Sequence, residues 1–212
     1  MTFGEFVSAG DLVFDVGANR GAMTQQFLAL GAEVVCVEPQ RQLAQQLENL
    51  HVTVCQAALG SEPGTMYLHS SNDDRFASLR EDWTQGHAQL WHWDSKSVMP
   101  VSVTTLDYLI ESFGYPAFVK IDTEGFEDEV IRGLSHPVPA LSIEYCGRRH
   151  PLYDVHGGAA ALHILDQLYD YTYRFAEHSA HWSSDWMNLD DATAYIQDAD
   201  WGGVYARANY AV

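Results

Sequence analysis

The run Leu12-Val13-Phe14-Asp15-Val16 is apolar and partly β-branched, the pattern of a buried strand, and Asp15-Val16-Gly17-Ala18-Asn19-Arg20-Gly21 turns the chain out of it. Met23, Phe27 and Leu30 then recur at helical spacing. A strand-to-helix turn of this kind lies where open α/β sheets bind ligands, and Gly17 and Gly21 let the backbone turn tightly and approach one closely. Glu38 closes the next strand-like run, where a carboxylate accepts hydrogen bonds from ribose hydroxyls. The ligand is therefore expected to be a nucleoside cofactor. A dinucleotide site would carry G-x-G-x-x-G so that backbone amides reach a pyrophosphate. Here the spacing is Gly17-x-x-x-Gly21, and Asp15 precedes it. An acid is unhelpful to a pyrophosphate but suits the ammonium of a methionine moiety and the field around a sulfonium. The expected cofactor is S-adenosyl-L-methionine, with S-adenosyl-L-homocysteine as product, and the expected contacts are Asp15, Gly17, Asn19, Gly21, Glu38 and Pro39.

Methyl transfer from a sulfonium is an in-line displacement, so a dry site that aligns the nucleophile supplies much of the rate. An alcohol acceptor also has to lose a proton, to a general base or with the help of a metal. The ends of two later strand-like runs carry suitable groups. Asp122 and Glu124 follow Phe118-Val119-Lys120-Ile121, Glu144 follows Leu141-Ser142-Ile143, and His150 lies in the loop beyond. The candidate bases are Glu124, then His150, then Asp122. Asp122 is equally suited to positioning the cofactor, Glu124 to orienting the Gly125 turn or capping the next helix, and His150 to plain solvation. No metal is expected: His178 and His181 have helix-compatible spacing, but a site also needs converging carboxylates.

These residues require an alternating framework. Val34-Val35-Cys36-Val37 and Val52-Thr53-Val54-Cys55 read as the second and third strands, with Leu43, Leu47 and Leu50 marking the helix between them. This β-α-β-α-β order predicts a parallel sheet with right-handed crossovers. Thr65–Leu68 and Val101–Val103 read as extra strands bracketing a polar, Trp-containing insertion at about 61–104. Thr104 and Asp107 form a capping box for a helix over Leu106–Phe113. A helix is expected over Glu127–Leu134, with Glu127, Asp128 and Glu129 suiting the positive end of its dipole. Helices over Ala161–Tyr169 and Ala192–Ile196 and strands over Tyr171–Phe175 and Val204–Tyr210 complete the chain. All six tryptophans follow residue 80. Trp83, Trp91 and Trp93 lie in the insertion, where they suit either an acceptor wall or the packing of an irregular segment. Arg75 and Arg80 suit an anionic substrate group or the offsetting of nearby acids.

The 212 residues suit one domain, 1–212, without a linker or repeat. With 11 Lys+Arg against 29 Asp+Glu the formal charge is −18, a field that disfavours nucleic acid and anionic membrane partners. No apolar run reaches spanning length and no leader is expected. Cys36, Cys55 and Cys146 all sit in or beside strand-like runs, the pattern of buried free thiols in a reducing, cytoplasmic setting. The composition leaves the oligomeric state open.

Several ordered blocks resemble the FkbM-type methyltransferases: Asp15–Gly21, Val37-Glu38-Pro39, Ala57-Ala58-Leu59-Gly60, Val103–Asp107, and Val119–Glu127 running on to Arg132-Gly133. The discriminating block is Asp122-Thr123-Glu124-Gly125, since the first loop occurs across many methyltransferase families. The resemblance spans residues 11–134, and Ile143-Glu144 extends it. It implies a Rossmann-like class I methyltransferase fold, α/β, with helices on both faces of a seven-stranded, mostly parallel sheet that has one antiparallel strand. It also implies O-methylation of a hydroxyl on a small molecule or carbohydrate. Near the adenine the family often carries Asn before its Ala-Leu-Gly block; this chain has Gln56-Ala57. Asp122 is a further expected cofactor contact, and Trp83, Trp91, Trp93 and Glu144 are expected at the acceptor. A nucleotide-dependent oxidoreductase on a similar sheet and a non-catalytic S-adenosylmethionine-binding module are the alternatives.

Overall fold

The computed structural model describes residues 3–71, 77–91, 97–153, 157–177 and 182–209, and of residues 87–91 and 177 the backbone only. Seven strands form the main sheet: β1 (Leu12–Val16), β2 (Glu33–Val37), β3 (Thr53–Cys55), β8 (Phe118–Ile121), β9 (Ala140–Cys146), β10 (Tyr171–Glu177) and β11 (Trp201–Ala208). Their order is β10-β11-β9-β8-β1-β2-β3. β11 runs antiparallel to both neighbours, and the other pairings are parallel. The chain leaves β1 outward to β2 and β3, then crosses back to β8 on the other side of β1. This reversal puts a switch-point crevice beyond the carboxyl ends of β1 and β8.

Alternation sends neighbouring residues of each strand to opposite layers. Phe14 and Val16 join Val119, Ile121, Val130 and Leu141 on one face. Val13, Phe27, Val34 and Phe118 pack with Phe3 on the other, beneath helix α1 (Ala22–Ala29). Helices α2 (Arg41–Leu47), α4 (Leu106–Phe113), α5 (Glu127–Arg132) and α6 (Gly158–Leu168) lie in the crossovers, and α7 (Leu189–Asp198) joins the antiparallel neighbours β10 and β11. The three cysteines are free thiols; Cys36 and Cys146 are buried, and burial pushes the Cys36 thiol up to about 12.

The insertion builds a second sheet from β4 (Ala58–Leu59), β5 (Gly64–Ser70), β6 (Ala77–Ser78) and β7 (Ser97–Thr104), in the order β4-β7-β5-β6. It also carries a helix that periodicity did not announce, α3 (Glu81–Trp91). Its large apolar residues Trp83, Leu90 and Trp91 are separated by a gap at Gly86 and His87, so helical propensity and pattern are both weak. The capping box is displaced by one residue. Thr104 is still in β7, and its carbonyl accepts from Gly60 N. Thr105 is the N-cap, its side chain accepting from Tyr108 N, while Asp107 Oδ1 accepts from Ser135 N at 2.9 Å. Among the described residues no helix is long and apolar enough to cross a membrane.

Candidate functional site

The first loop and the Asp122-Thr123-Glu124-Gly125 block, far apart in sequence, meet at the switch point. Gly17 has φ 71°, and a Cβ there would stand 1.8 Å from the Asp122 carbonyl oxygen. Only glycine meets both demands, the left-handed backbone and the absent side chain. Asn19 is also left-handed (φ 49°), a conformation that asparagine tolerates.

Glu38 is 3% exposed and fastens the loop. Its Oε2 accepts from Asn19 N at 3.0 Å and its Oε1 from Gln40 N at 2.8 Å. Each carboxylate oxygen retains acceptor capacity for a hydroxyl. Burial raises the Glu38 carboxyl above the usual carboxylate range, and the two backbone bonds pull partly back. A cavity of about 250 Å³ opens over this carboxylate, lined by Gly17, Asn19, Pro39, Ala57, Asp122 and Glu124 as well. The inserted sheet closes one side through Leu68, Ala77 and Leu79, and Phe126 adds an aromatic surface. Sequence reasoning missed these four. The signal of Leu68, Ala77 and Leu79 is weak, because apolar residues in an insertion look like local packing, and Phe126 reads in the sequence only as the residue before a helix.

Asp15 and Gly21 take other places. Asp15 is fully buried beneath the loop, where Thr24 Oγ1 donates to its Oδ2 at 2.6 Å and Lys120 Nζ lies 3.5 Å from its Oδ1. Gly21 is the N-cap of α1 and faces Leu47 and Leu50. Gln56 is exposed and outside the cavity lining, which begins at Ala57.

Lys120 is the central residue that the motifs did not single out. Asp15 and Lys120 are lateral partners on adjacent strands, and alternation puts them on one face. The ammonium donates to the carbonyls of Val16 at 3.3 Å and Gly17 at 3.0 Å, and stands 3.3 Å from Asp122 Oδ2. Burial lowers its proton affinity, yet Asp122 and Asp15 outweigh burial and hold it above the ordinary lysine value. One buried charge thus ties the loop backbone to the fourth core strand.

Glu124 sits in the left-handed region (φ 55°). Carboxylate oxygens of Asp122, Glu124 and Glu144 all lie within 4.8 Å of one another. Burial, then Glu144, Asp122 and Glu127, push Glu124 well above the usual carboxylate range, and Lys120 opposes this. Such a cluster can be relieved by a proton or by a cation. The turn itself is organised by Glu127, not Glu124: Glu127 Oε1 accepts from Thr123 N at 2.9 Å, Thr123 Oγ1 at 3.1 Å and Gly125 N at 3.2 Å.

His150 is half-buried, and its Nδ1 accepts from Leu152 N at 3.3 Å, apart from the carboxylate cluster. Trp83 is 4% exposed and packs with Cys146 and Leu152, its ring 3.1 Å from where a Cβ on Gly125 would be. It supports the Asp122–Gly125 turn from behind. Trp91 ends α3, its side chain outside the described atoms, and Trp93, Arg75, His178 and His181 lie outside the described residues. Arg80 Nη2 is bound to Asp128 Oδ1 at 2.7 Å, which accounts for its charge locally.

A doubly wound sheet with an antiparallel β11, a buried acid just past the second strand and a cavity at the switch point define a Rossmann-like α/β fold with a ligand site at its switch point. The sequence matches the Methyltransferase FkbM domain family over residues 15–175, most of the chain, and the protein belongs to that family. It is a methyltransferase, and its methyl donor is S-adenosylmethionine. Among solved structures, the chain is similar to a SAM-dependent methyltransferase from Archaeoglobus fulgidus, at 14% identity and TM-score 0.48, with 97% of this chain and 89% of that one covered. It is also similar to precorrin-6y C5,15-methyltransferase from Geobacter metallireducens GS-15, at 10% identity and TM-score 0.47, covering 97% and 86%. A third is the C-terminal domain of precorrin-6Y C5,15-methyltransferase from Rhodobacter capsulatus, at 9% identity and TM-score 0.44, covering 98% and 86%. We found no match among curated protein sequences.

Proposed function

We propose that the protein methylates a hydroxyl group on a small molecule or carbohydrate, with Glu124 as general base. The observation that carries this reading is the position of Glu124, which lines the cofactor cavity and converges with Asp122 and Glu144. When bound, S-adenosylmethionine supplies a methyl group whose transfer breaks the carbon–sulfur bond, the electron pair going to sulfur. Glu38 would accept from the ribose hydroxyls of the bound cofactor, and Asn19, Pro39, Ala57 and Leu79, which line the same cavity, would hold its nucleoside. Asp122, already paired with Lys120, positions the reacting end. Glu124 takes the hydroxyl proton. Its raised proton affinity makes it a stronger base, one that acts once it has ionised. Glu144 holds the acceptor. The acidic surface keeps nucleic acid outside this substrate range.

We read the carboxylate cluster as proton-sharing and independent of metal. The Lys120 ammonium, 3.3 Å from Asp122 Oδ2, already offsets part of the cluster's negative charge.

The test is transfer of labelled methyl to hydroxylated acceptors. Glu124→Gln is expected to lower kcat by about 10²- to 10⁴-fold and to remove the rise of kcat with pH, with homocysteine-product binding retained. A chelator is expected to leave the wild-type rate unchanged. A Gln variant with wild-type kcat and pH profile removes Glu124 as the base.

A further inference from the structure

Lys120 belongs to a row that crosses the sheet. Cys36 pairs laterally with Asp15, Asp15 with Lys120, Lys120 with Ser142, and Ser142 with Tyr205. The next row toward the carboxyl ends of the parallel strands carries Asp122 and Glu144, and opposite Glu144 stands Gly203. A second cavity of about 290 Å³ opens here, lined by Lys120, Asp122, Ser142, Glu144, Trp201 and Gly203 among others. Asp122 also lines the cofactor cavity, so the two spaces meet at that residue.

Gly203 is the informative position. It lies inside β11, outside the left-handed region, and a Cβ built on it would meet only Tyr205 Cε2 at an ordinary 3.5 Å. Neither the backbone nor the packing requires glycine there. A glycine inside a strand weakens it and often marks close approach of a ligand. Its missing side chain keeps the space beside Glu144 open. Trp201, 42% exposed, offers an aromatic surface at the same cavity.

The charge of the space is equally directional. Among the described lining residues Lys120 is the only base, and Asp15 and Asp122 already face its ammonium at 3.5 Å and 3.3 Å. An anionic acceptor would therefore meet Asp122 and Glu144 with no uncommitted cation. A neutral or cationic one would find acceptors for its hydroxyl and ammonium hydrogens.

We propose that this second cavity receives the methyl acceptor and selects a hydroxylated ring without negative charge, its face against Trp201 and its hydroxyls toward Glu144 and Asp122, whose carboxylate oxygens lie within 4.8 Å of the Glu124 base. The inference rests on the O-methylation reading and adds to it the acceptor's place and charge class.

The experiment uses the full chain and a panel of neutral, amino-bearing and carboxylate-bearing glycosides. Binding heat is measured on protein saturated with S-adenosylhomocysteine, and transfer is measured with labelled donor. Neutral and amino glycosides are expected to bind and turn over, and their carboxylate counterparts to do neither. Gly203→Leu is expected to lower transfer by about a hundredfold by displacing the acceptor, with S-adenosylhomocysteine affinity unchanged. Trp201→Ala, at an exposed position, carries the same test should the leucine variant fail to fold; it is expected to raise KM about fivefold with kcat little changed. Loss of S-adenosylhomocysteine binding in Gly203→Leu would give the cavity to the donor's amino-acid end and overturn the proposal. So would unchanged transfer in both variants, equal use of carboxylate glycosides, or no binding heat from any glycoside. Methylation at nitrogen or carbon, with the Gly203 effect intact, would instead remove the O-methylation reading and leave the cavity assignment standing.

Discussion

Lys120 shows how one residue can carry more of a site than its motif suggests. Its side chain reaches two carbonyls of the first loop and two carboxylates, and Asp15 on the neighbouring strand is completely enclosed. Removing the ammonium leaves Asp15 as an uncompensated buried charge. Lys120→Met is therefore expected to cost about 3–5 kcal/mol of stability in urea unfolding. Asp15→Asn in the same chain should recover part of that loss, because the amide still meets Thr24 Oγ1. A double variant no more stable than Lys120→Met would show that Asp15 is not the source of the cost. Glu124 differs from Lys120 in kind: its carboxyl is held among Glu144, Asp122 and Glu127, so its protonation responds to pH where Lys120 stays charged.

At the scale of elements, the important contact joins the loop after β1 to the turn after β8. It is made by backbone against backbone, Gly17 against the Asp122 carbonyl. Gly17→Ala must open that contact and also adopt a left-handed backbone. It is expected to destabilise the protein by at least about 2 kcal/mol and to weaken S-adenosylhomocysteine binding. Thermal unfolding with and without the ligand measures both; an alanine variant that melts and binds like wild type would show that the contact relaxes freely. The inserted sheet has a different task. β5 and β6 bring Leu68 and Ala77 to the first cavity, and Leu79 follows β6, so the insertion walls one side of that cavity. Trp182 and Trp186 serve packing around cations. Arg174 lies 4.2 Å over the Trp182 ring, and Arg207 lies 4.3 Å over Trp186.

At the scale of the whole molecule, folding stability and catalysis should respond to pH in opposite directions. Both Glu38 and Glu124 hold their protons more tightly in the folded chain than carboxyls ordinarily do. Below the unfolded value, near about 4.3, both states are protonated and the folded state keeps its full advantage. As pH rises, the unfolded chain ionises first, and stability falls through the folded-state values. With Glu124 as the proposed base, the rate is expected to rise over the same interval as its carboxylate becomes available to accept a proton. Urea midpoints measured between about pH 4 and pH 8 should decline, and Glu124→Gln should flatten the decline. A Gln variant whose midpoints fall as steeply as those of wild type would exclude Glu124 as a contributor.

The sequence by itself determined the sheet-forming runs, the helix over Leu106–Phe113, and the placing of Glu38, Asp122 and Glu124 at strand ends. Each of these is a local pattern, readable from alternation, helical spacing or the position of a carboxylate at a strand end. What it did not determine were relations across strands. Asp15, expected at the cofactor, lies beneath the loop because register sets it opposite Lys120. Glu124, weighed as the residue that orients the Gly125 turn, is relieved of that task by Glu127. Gly203 carried no signal at all, because the space beside it exists only where β11 meets β9. Lateral pairing, burial and the field of neighbouring charges arise from tertiary packing, and here they separate the residues that build the loop from those that face the two cavities.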